Sequence, residues 1–313
     1  MTKYILTRIG QALLVLWAAF TVSFVLLQSM PGDAILIKFQ SPDYGLSPEQ
    51  LADIRAAYGA DGSVLQQYIH TVWSFLSGNF GYSLQAGVAV SSQLAVSLPS
   101  TLLLAGFSFL LAAILAVVIA ILANLSGFGW LRGFMQSLPS LFISVPTFWL
   151  GIMFIQIFSF RLRLVPVIDP GPWQGLVLPI LTVAIPISAP LAQIILRNID
   201  EVLTRPFISV ARAKGASHGQ VLWRHVAKNT LLPVLTVAGL LFGELIAGAV
   251  VTETVFGLNG IGNLTKHAVD AQDVAVLQAI VVISAAAFVT INLIVDLLYP
   301  ILDPRLKARL GAN

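Results

Sequence analysis

Three carboxylates lie within or beside long apolar stretches of the sequence: Glu244 in FGELIAG, Glu253 in TETVFG and Asp296 in LIVDLLYP. A charged side chain is costly in a membrane, so one that is kept there usually lines a pathway or has a partner. Each carboxylate could line a pathway, and each could instead have a structural role; for Glu244 the first includes contact with a substrate ammonium group. All three are therefore candidate residues of a translocation pathway.

The place of each carboxylate in its stretch favours a different role. For Glu244, the pathway and a strut between helices stay open as alternatives, because a Gly239-x-x-x-Gly243 pair beside it permits close helix approach. Glu253 lies near the external end of its stretch, which favours snorkelling or the capping of the re-entrant loop over substrate contact. Asp296 lies near the inner end of its stretch, which favours a structural pairing.

Positive charge is concentrated in SVARAKGASHGQVLWRHVAKNTLLP, residues 209 to 233. This segment and the residue Arg205 just upstream hold five of the seventeen Lys and Arg residues, the others being Arg212, Lys214, Arg224 and Lys228. A net charge of +3 spread between long apolar runs lacks the dense basic face that nucleic-acid binding needs. We expect the charge to orient or dock the chain, and no nucleic acid as a partner.

Several other chemistries lack the residues that they need. The sequence has no GxxxxGK[ST] motif to hold nucleotide phosphates, so any ATP hydrolysis must come from another chain. It has no cysteine, which excludes disulfides and thiolate metal sites. His218 and His225 have no acidic residue at ligand spacing. We therefore predict no catalytic residue, no metal site and no cofactor in this chain.

The elements that must position these residues are membrane helices. Hydrophobic residues make up 57% of the chain, charged residues 10%, and the mean hydropathy is +0.89. Stretches of roughly 20 apolar residues are long enough to cross a bilayer. Six are found, at residues 9 to 29, 101 to 123, 135 to 160, 175 to 196, 231 to 255 and 276 to 300. The sequence predicts an all-α polytopic membrane protein with six transmembrane helices.

The first stretch follows Lys3 and Arg8, as a secretory signal would. It exceeds the roughly 7 to 15 apolar residues of a signal, and LLQSMPGD offers no small-x-small cleavage site, so we expect a retained span. The predicted divisions of the chain are an N-terminal helix at 1 to 30, an external segment at 31 to 100, a five-helix core at 101 to 300 that contains a cytoplasmic loop at 197 to 230, and a cytoplasmic tail at 301 to 313.

Prolines inside the third and fourth stretches predict kinked helices, because a bundle can satisfy the carbonyls that proline leaves free. They are Pro139, Pro146, Pro179, Pro186 and Pro190.

The distribution of Lys and Arg predicts the orientation. With a cytoplasmic N-terminus, twelve of the seventeen fall inside and five outside, and a membrane protein usually keeps its positive charge on the cytoplasmic side. The external five are Lys38, Arg55, Arg161, Arg163 and Lys266. Both termini are therefore predicted to be cytoplasmic.

Short helices are predicted outside the membrane. SPEQLADIRAAYG, residues 47 to 59, has a capping box from Ser47 to Gln50, and VLQQYIHTVWSFL, residues 64 to 76, is amphipathic. In the second helix the predicted buried face is Leu65, Tyr68, Ile69, Val72 and Phe75. FGLNGIGNLTKHAVDAQD, after the fifth stretch, predicts a tight re-entrant turn and then a short polar helix.

The basic loop itself has a helical pattern on both sides of a glycine. Residues 205 to 214 can form one helix and QVLWRHVAKN a second, and Gly215 permits a sharp turn between them. The pattern predicts a helix, a turn and a helix, the shape of a docking element.

This loop resembles the coupling loop of bacterial ABC importer permeases, in the form of the dipeptide, oligopeptide and nickel branch. The sugar-importer form begins Glu-Ala-Ala with a Gly four residues later; here Ser209, Val210, Ala211 and Gly215 take those places. Further resemblances follow in order along nearly the whole chain: KYILTRIGQALLVL with MPGD, GNFGYS, LPSTLLLAG, TETVFGLNGIG and LIVDLLYPILDPRL. The predicted coupling loop comprises Ser209, Val210, Ala211, Arg212, Ala213, Lys214, Gly215, Ala216 and Ser217.

The resemblance implies a permease subunit in a bacterial inner membrane, in contact with membrane lipid. It implies a second, similar permease, two cytoplasmic ATPases that bind ATP and Mg²⁺, and an external solute-binding protein as partners. Import of di- or oligopeptides is the expected function, with a nickel or metal-chelate importer as an alternative. An intramembrane protease using Glu244 and Asp296 is an alternative of another class, although no GxGD element is present. A secondary transporter would show two repeated halves, which the six spans do not.

Overall fold

The structure is a computed structural model, and it describes residues 2–29, 63–168, 170–171 and 173–302. Within these ranges the chain is helical, and the single β-type contact is an isolated bridge between Tyr82 and Ala89. In chain order the helices are α1 (Thr2–Gln28), α2 (Val64–Leu76), α3 (Val90–Leu125), α4 (Gly129–Ser144), α5 (Thr147–Phe154), α6 (Gln174–Leu203), α7 (Pro206–Ala213), α8 (His218–Val221), α9 (Ala227–Gly248), α10 (Val250–Phe256), α11 (Ile261–Asp270) and α12 (Val274–Leu302). Two π-helical segments, Ile155–Arg161 and Leu222–Val226, extend α5 and join α8 to α9.

Five helices of the described residues are long and apolar enough to cross a membrane, and a bent pair makes six if it counts as one span. The five are α1, α3, α6, the continuous helix from His218 to Ile246, and α12. This agrees with the predicted all-α polytopic fold. Each spanning helix begins before its predicted apolar stretch, whereas the stretch predicted at 231 to 255 is divided, because α9 ends at Gly248 and α10 follows from Val250 to Phe256.

The third predicted span is the bent pair. The helix Gly129–Ser144 meets the helix Thr147–Arg161 at an angle of 97°. The break contains Pro146, whose ring forces the preceding Val145 into an extended conformation with φ −93° and ψ 120°. The predicted kink is therefore confirmed here, whereas α6 continues through its three prolines.

Small residues let the central helices approach closely. The α3 and α6 helices pack through buried alanines, among them Ala112 and Ala116 of α3 and Ala184 and Ala192 of α6. Helices in a membrane associate through such close van der Waals contact, since lipid supplies no hydrophobic driving force between them.

The predicted glycine pair has the same effect between α9 and α12. A Cβ added to Gly239 would lie 2.7 Å from a methyl carbon of Val295, and one added to Gly243 would collide with the ring of Phe288. Both positions therefore need glycine for α9 to lie against α12, which continues the bundle beside α3 and α6.

The external helix α2 forms where the sequence predicts it, with Ser63 and Gln66 in a reciprocal capping box. Tyr68 packs edge-on against Phe20 and Phe24 of α1 and hydrogen-bonds Thr21 at 2.8 Å. Part of the predicted buried face is wrong, however. Leu65 and Ile69 are 67% and 59% exposed, because α1 covers only the side of α2 that carries Tyr68 and Phe75. The helix predicted at 47 to 59 lies outside the described residues.

Candidate functional site

The predicted coupling loop folds as a helix, a turn and a helix at one end of the bundle. Pro206 opens α7, a position where its missing N–H costs nothing. Ile208 is 1% exposed and packs with Val202, Val221 and Val226 in a hydrophobic cluster. This buried anchor holds α7 against the ends of the long helices, so movement of the loop must be passed to them.

The turn between the two helices depends on Gly215. Its φ is +85°, a conformation that side chains of L-residues rarely adopt. No atom lies within 4 Å of where its Cβ would be, so the requirement for glycine comes from the backbone angle and not from crowding within this chain. The predicted turn at Gly215 is confirmed.

The second helix of the loop is fastened by contacts that we did not predict. Ser217 and Gln220 form a reciprocal capping box at the start of α8. The His218 ring donates a hydrogen bond to the carbonyl oxygen of Asn124, at the inner end of α3, over 3.1 Å. The S-x-x-Q spacing carried the signal for the cap, whereas nothing local could indicate a bond between residues so far apart in the chain.

The outer surface of the loop combines apolar and basic side chains. Val210 is 55% exposed and Phe207 is 40% exposed, although both are large and apolar. Arg212 and Lys214 are exposed and form no ion pair with any described residue. Arg205 differs, because its guanidinium pairs with Glu201 at 2.9 Å. The loop therefore presents an uncovered surface of the kind at which another protein binds.

At the other end of the bundle, Glu253 of α10 is completely buried beside the first residues of α11. Its carboxylate accepts hydrogen bonds from the Thr101 hydroxyl at 2.5 Å and from the N–H groups of Gly262 and Asn263 at 2.7 and 3.1 Å. The oxygen of Thr101 accepts in turn from the N–H of Ile261 at 2.8 Å. These bonds satisfy the free donors that begin every helix, so Glu253 acts as a loop cap, the role that its position favoured.

Asp273 connects the segment that contains Ser83 to the start of α12, a role that we did not predict. It is 2% exposed, and its carboxylate accepts from the Ser83 hydroxyl at 2.5 Å and from the N–H of Gln85 at 3.2 Å. Its other oxygen accepts from the N–H of Val276 in the first turn of α12. An Asp before an apolar run is a sequence signal for such an N-cap.

These contacts bring together segments that the resemblance identified separately. Ser83 ends GNFGYS, Thr101 lies in LPSTLLLAG, and Glu253 and Gly262 lie in TETVFGLNGIG. Ser83 and Asp273 also line a cavity of about 570 Å³, together with the polar residues Gln93, Asn263 and His267.

Glu244 stands apart from the other two candidate carboxylates. It is exposed, and it forms no hydrogen bond or ion pair with any residue in the described part of the chain. It lines a cavity of about 280 Å³ whose walls are apolar side chains of α3, α6 and α9. Thr147 at the start of α5 and Thr252 of α10 add hydroxyl groups to the same lining.

Asp296 has the structural pairing that its position favoured. Its carboxylate lies 3.4 Å from the guanidinium of Arg8, and its carbonyl oxygen accepts a hydrogen bond from Tyr4 at 2.9 Å. These contacts join α1 to α12. Glu244 and Asp296 thus have different surroundings and share no described contact, which gives no support to a carboxylate pair for proteolysis. Among the described residues, no three His, Asp or Glu side chains are grouped as a metal site requires.

Comparison with known proteins gives consistent results along the chain. The family described as binding-protein-dependent transport system inner membrane component matches residues 116–308, and the family for the N-terminal part of this membrane component matches residues 1–105. A peptide transport system permease protein of Brucella abortus is 35% identical over 98% of this chain and 99% of its own length. The dipeptide transport system permease protein DppB of Lactococcus lactis is 32% identical over 98% of this chain and 100% of its own.

A solved structure shares the fold. The MetNI methionine ABC transporter, in an inward-facing conformation, has a chain that aligns with a TM-score of 0.57 and 16% identity. The alignment covers 68% of this chain and 97% of that one.

Proposed function

The chain belongs to the family of binding-protein-dependent transport system inner membrane components, and from this premise we propose that it forms half of the route by which di- or oligopeptides enter the cell. As a member of this family it is a permease subunit of an ABC importer and a multi-pass membrane protein. The peptide class is supported by relatives that match almost the full chain and are named for peptide or dipeptide transport.

The proposed assembly contains a second permease, two cytoplasmic ATPases and an external solute-binding protein. ATP and Mg²⁺ would be bound by the ATPases, since this sequence has no phosphate-binding loop of its own. The external cavity beside α11 would face the binding protein. Both termini would be cytoplasmic, an orientation supported by the excess of Lys and Arg on that side.

The observation that carries the proposal is the coupling loop, residues 209–217. It is short, it is anchored in the core through Ile208 of the same helix, and its outer surface bears exposed Val210, Arg212 and Lys214. An apolar surface with basic residues suits a groove with an apolar floor and acidic or carbonyl groups at its rim. We propose that each ATPase movement reaches the membrane helices through this loop.

The test compares two glycine substitutions in the same loop. Gly215→Asp should leave the chain inserted and paired with the second permease, yet abolish transport and weaken retention of the ATPase, because a side chain strains the +85° φ and the added carboxylate would occupy the exposed turn at which the ATPase docks. Gly219→Ala is the matched control: Gly219 lies within α8, has open space around it, and should tolerate a methyl group.

Both variants are purified with the ATPase subunits, and peptide uptake is measured in proteoliposomes. Retention of ATPase and full transport in Gly215→Asp would reduce the loop to a basic connector between two spans. A complex that couples normally but takes up no peptide would leave the coupling role intact and overturn the peptide class.

A further inference from the structure

We propose that the cavity beside Glu244 is a transient binding site for the ammonium group of the transported solute, such as the amino terminus of a peptide. The proposal deepens the peptide-import function and rests on it for the identity of the solute. It starts from a contrast among the three carboxylates of the apolar stretches.

Two of these carboxylates have partners within the chain. Glu253 accepts three hydrogen bonds at the start of α11, and Asp296 pairs with Arg8. Glu244 has neither kind of partner among the described residues, although it lies within the helix from His218 to Ile246 that is long and apolar enough to span a membrane. An uncompensated carboxylate at that place is costly, so a group from outside this chain must offset the cost.

The surroundings of Glu244 are those of a ligand site and not of a lipid-facing surface. The cavity of about 280 Å³ is bounded by residues of five helices, α3, α5, α6, α9 and α10, and its lining includes residues that are themselves buried, such as Leu104 and Leu245. Its size lies just below the roughly 300 to 1,000 Å³ of pockets that enclose small ligands, so it fits one end of a peptide.

The cavity also lies where two helices are interrupted. Thr147 is the first residue of α5, after the 97° bend, and Glu244 lies close to Gly248, where α9 ends. Interrupted backbone at membrane depth is tolerated where it lines a cavity or is covered by protein. The two interruptions therefore indicate that the helices of this part of the bundle surround a cavity.

The donor set of the cavity matches an ammonium group. An ammonium group offers three N–H donors, and the cavity supplies a carboxylate and the hydroxyls of Thr147 and Thr252 as acceptors. A divalent metal ion would need more anionic or imidazole ligands than this single carboxylate. A primary ammonium gains more here than a neutral ligand does, because its hydrogen bond to the carboxylate is charge-assisted.

The first experiment needs no transport. The assembled complex in lipid nanodiscs is treated with a hydrophobic carbodiimide, and modification of Glu244 is measured by mass spectrometry. Alanylalanine and propylammonium should each slow the modification, whereas N-acetylated alanylalanine should not. Equal protection by the acetylated peptide, or no protection by either amine, would overturn the proposal. A carboxylate that stays unmodified without ligand would also overturn it, because the sister permease would then cover the site.

The second experiment measures the uptake of two peptides by the wild-type complex and by the Glu244→Gln variant. Glu244→Gln should lower uptake of alanylalanine by about tenfold, the size of one charge-assisted hydrogen bond, and leave the slow uptake of its N-acetylated form within about twofold. The binding protein is the same in both arms, so its own preference cancels. Asp270→Asn, an exposed carboxylate outside the cavity, is the matched control and should change neither rate.

The outcomes separate this site from the importer function. An equal loss for both peptides would assign Glu244 a packing role while the importer function stands. If the wild-type complex carries no peptide but propylammonium still protects Glu244, the peptide class fails and the ammonium site stands. Should Glu244→Gln fail to assemble, the protection pattern in the wild-type complex decides.

Discussion

The hydroxyl of Thr101 donates a 2.5 Å hydrogen bond to the carboxylate of Glu253, and its oxygen accepts one from the N–H of Ile261. The two side chains lie 152 positions apart in the sequence. Together they join α3, α10 and the start of α11 in a place where water does not compete. This end of the bundle is therefore held together by a buried polar network.

Thr101→Val should destabilise the assembled permease by about 1 to 3 kcal/mol, because it leaves the buried Ile261 N–H without a partner and removes one of the three hydrogen bonds to the Glu253 carboxylate. Thr236→Val is the control, since Thr236 donates only to Leu232 in its own helix. The measurement is thermal unfolding of the purified complex. Equal unfolding temperatures for the two variants would show that the network contributes no stability.

Gly262→Ala should be at least as damaging. A Cβ at this position would lie 2.4 Å from the Cα of Val250, and backbone cannot move aside as a side chain can. Crowding of this kind costs about 1 to 3 kcal/mol. Gly106→Ala, with open space around it, should leave the unfolding temperature unchanged. A stable Gly262→Ala complex would mean that α10 and α11 separate easily.

The orientation can be tested with single cysteines, because the chain has none of its own. Cysteines at Ser92 and Ser217 replace exposed side chains near opposite ends of the bundle. In intact cells an impermeant maleimide should label Ser92→Cys but not Ser217→Cys, and lysis should make both reactive. Labelling of Ser217→Cys before lysis would reverse the proposed topology.

Arg212→Glu should weaken ATPase binding by about tenfold at low salt and by much less at high salt. Exposed charges are screened beyond a Debye length of about 8 Å at physiological ionic strength, so the loss should depend on salt. Lys266→Glu is the control, because Lys266 is exposed in α11 at the opposite end of the bundle. Retention of the ATPase is measured across a salt series. A loss independent of salt would indicate misfolding of the loop and not lost attraction.

Asp296→Asn should have a small effect, because the ion pair with Arg8 is only partly buried and such pairs contribute about 1 kcal/mol or less. We expect transport within about twofold of wild type and a slightly lower unfolding temperature. The double variant with Arg8→Gln should cost no more than the larger single change, since both remove one interaction. A transport loss as large as that of Glu244→Gln would instead place Asp296 on the pathway.

The sequence alone determined the features that depend on neighbouring residues. Apolar stretches of membrane length predicted the spanning helices, and the prolines of the third stretch predicted a kink there, although the same signal in the fourth stretch accompanies a continuous α6. Gly215 between two helical patterns predicted the turn of the coupling loop. These predictions succeed because hydropathy, proline geometry and a positive φ act within a few residues and leave a signal in the local pattern.

Only the tertiary structure decided which of three similar carboxylates is left without a partner. In the sequence Glu244, Glu253 and Asp296 all interrupt apolar surroundings. Their roles differ because Thr101 and Arg8, from distant parts of the chain, pair with two of them, and no described residue forms a hydrogen bond or an ion pair with the third. The size of the 97° bend and the exposed face of α2 were decided in the same way. Contacts between residues far apart leave no periodic pattern, and it is packing of the helices that selects them.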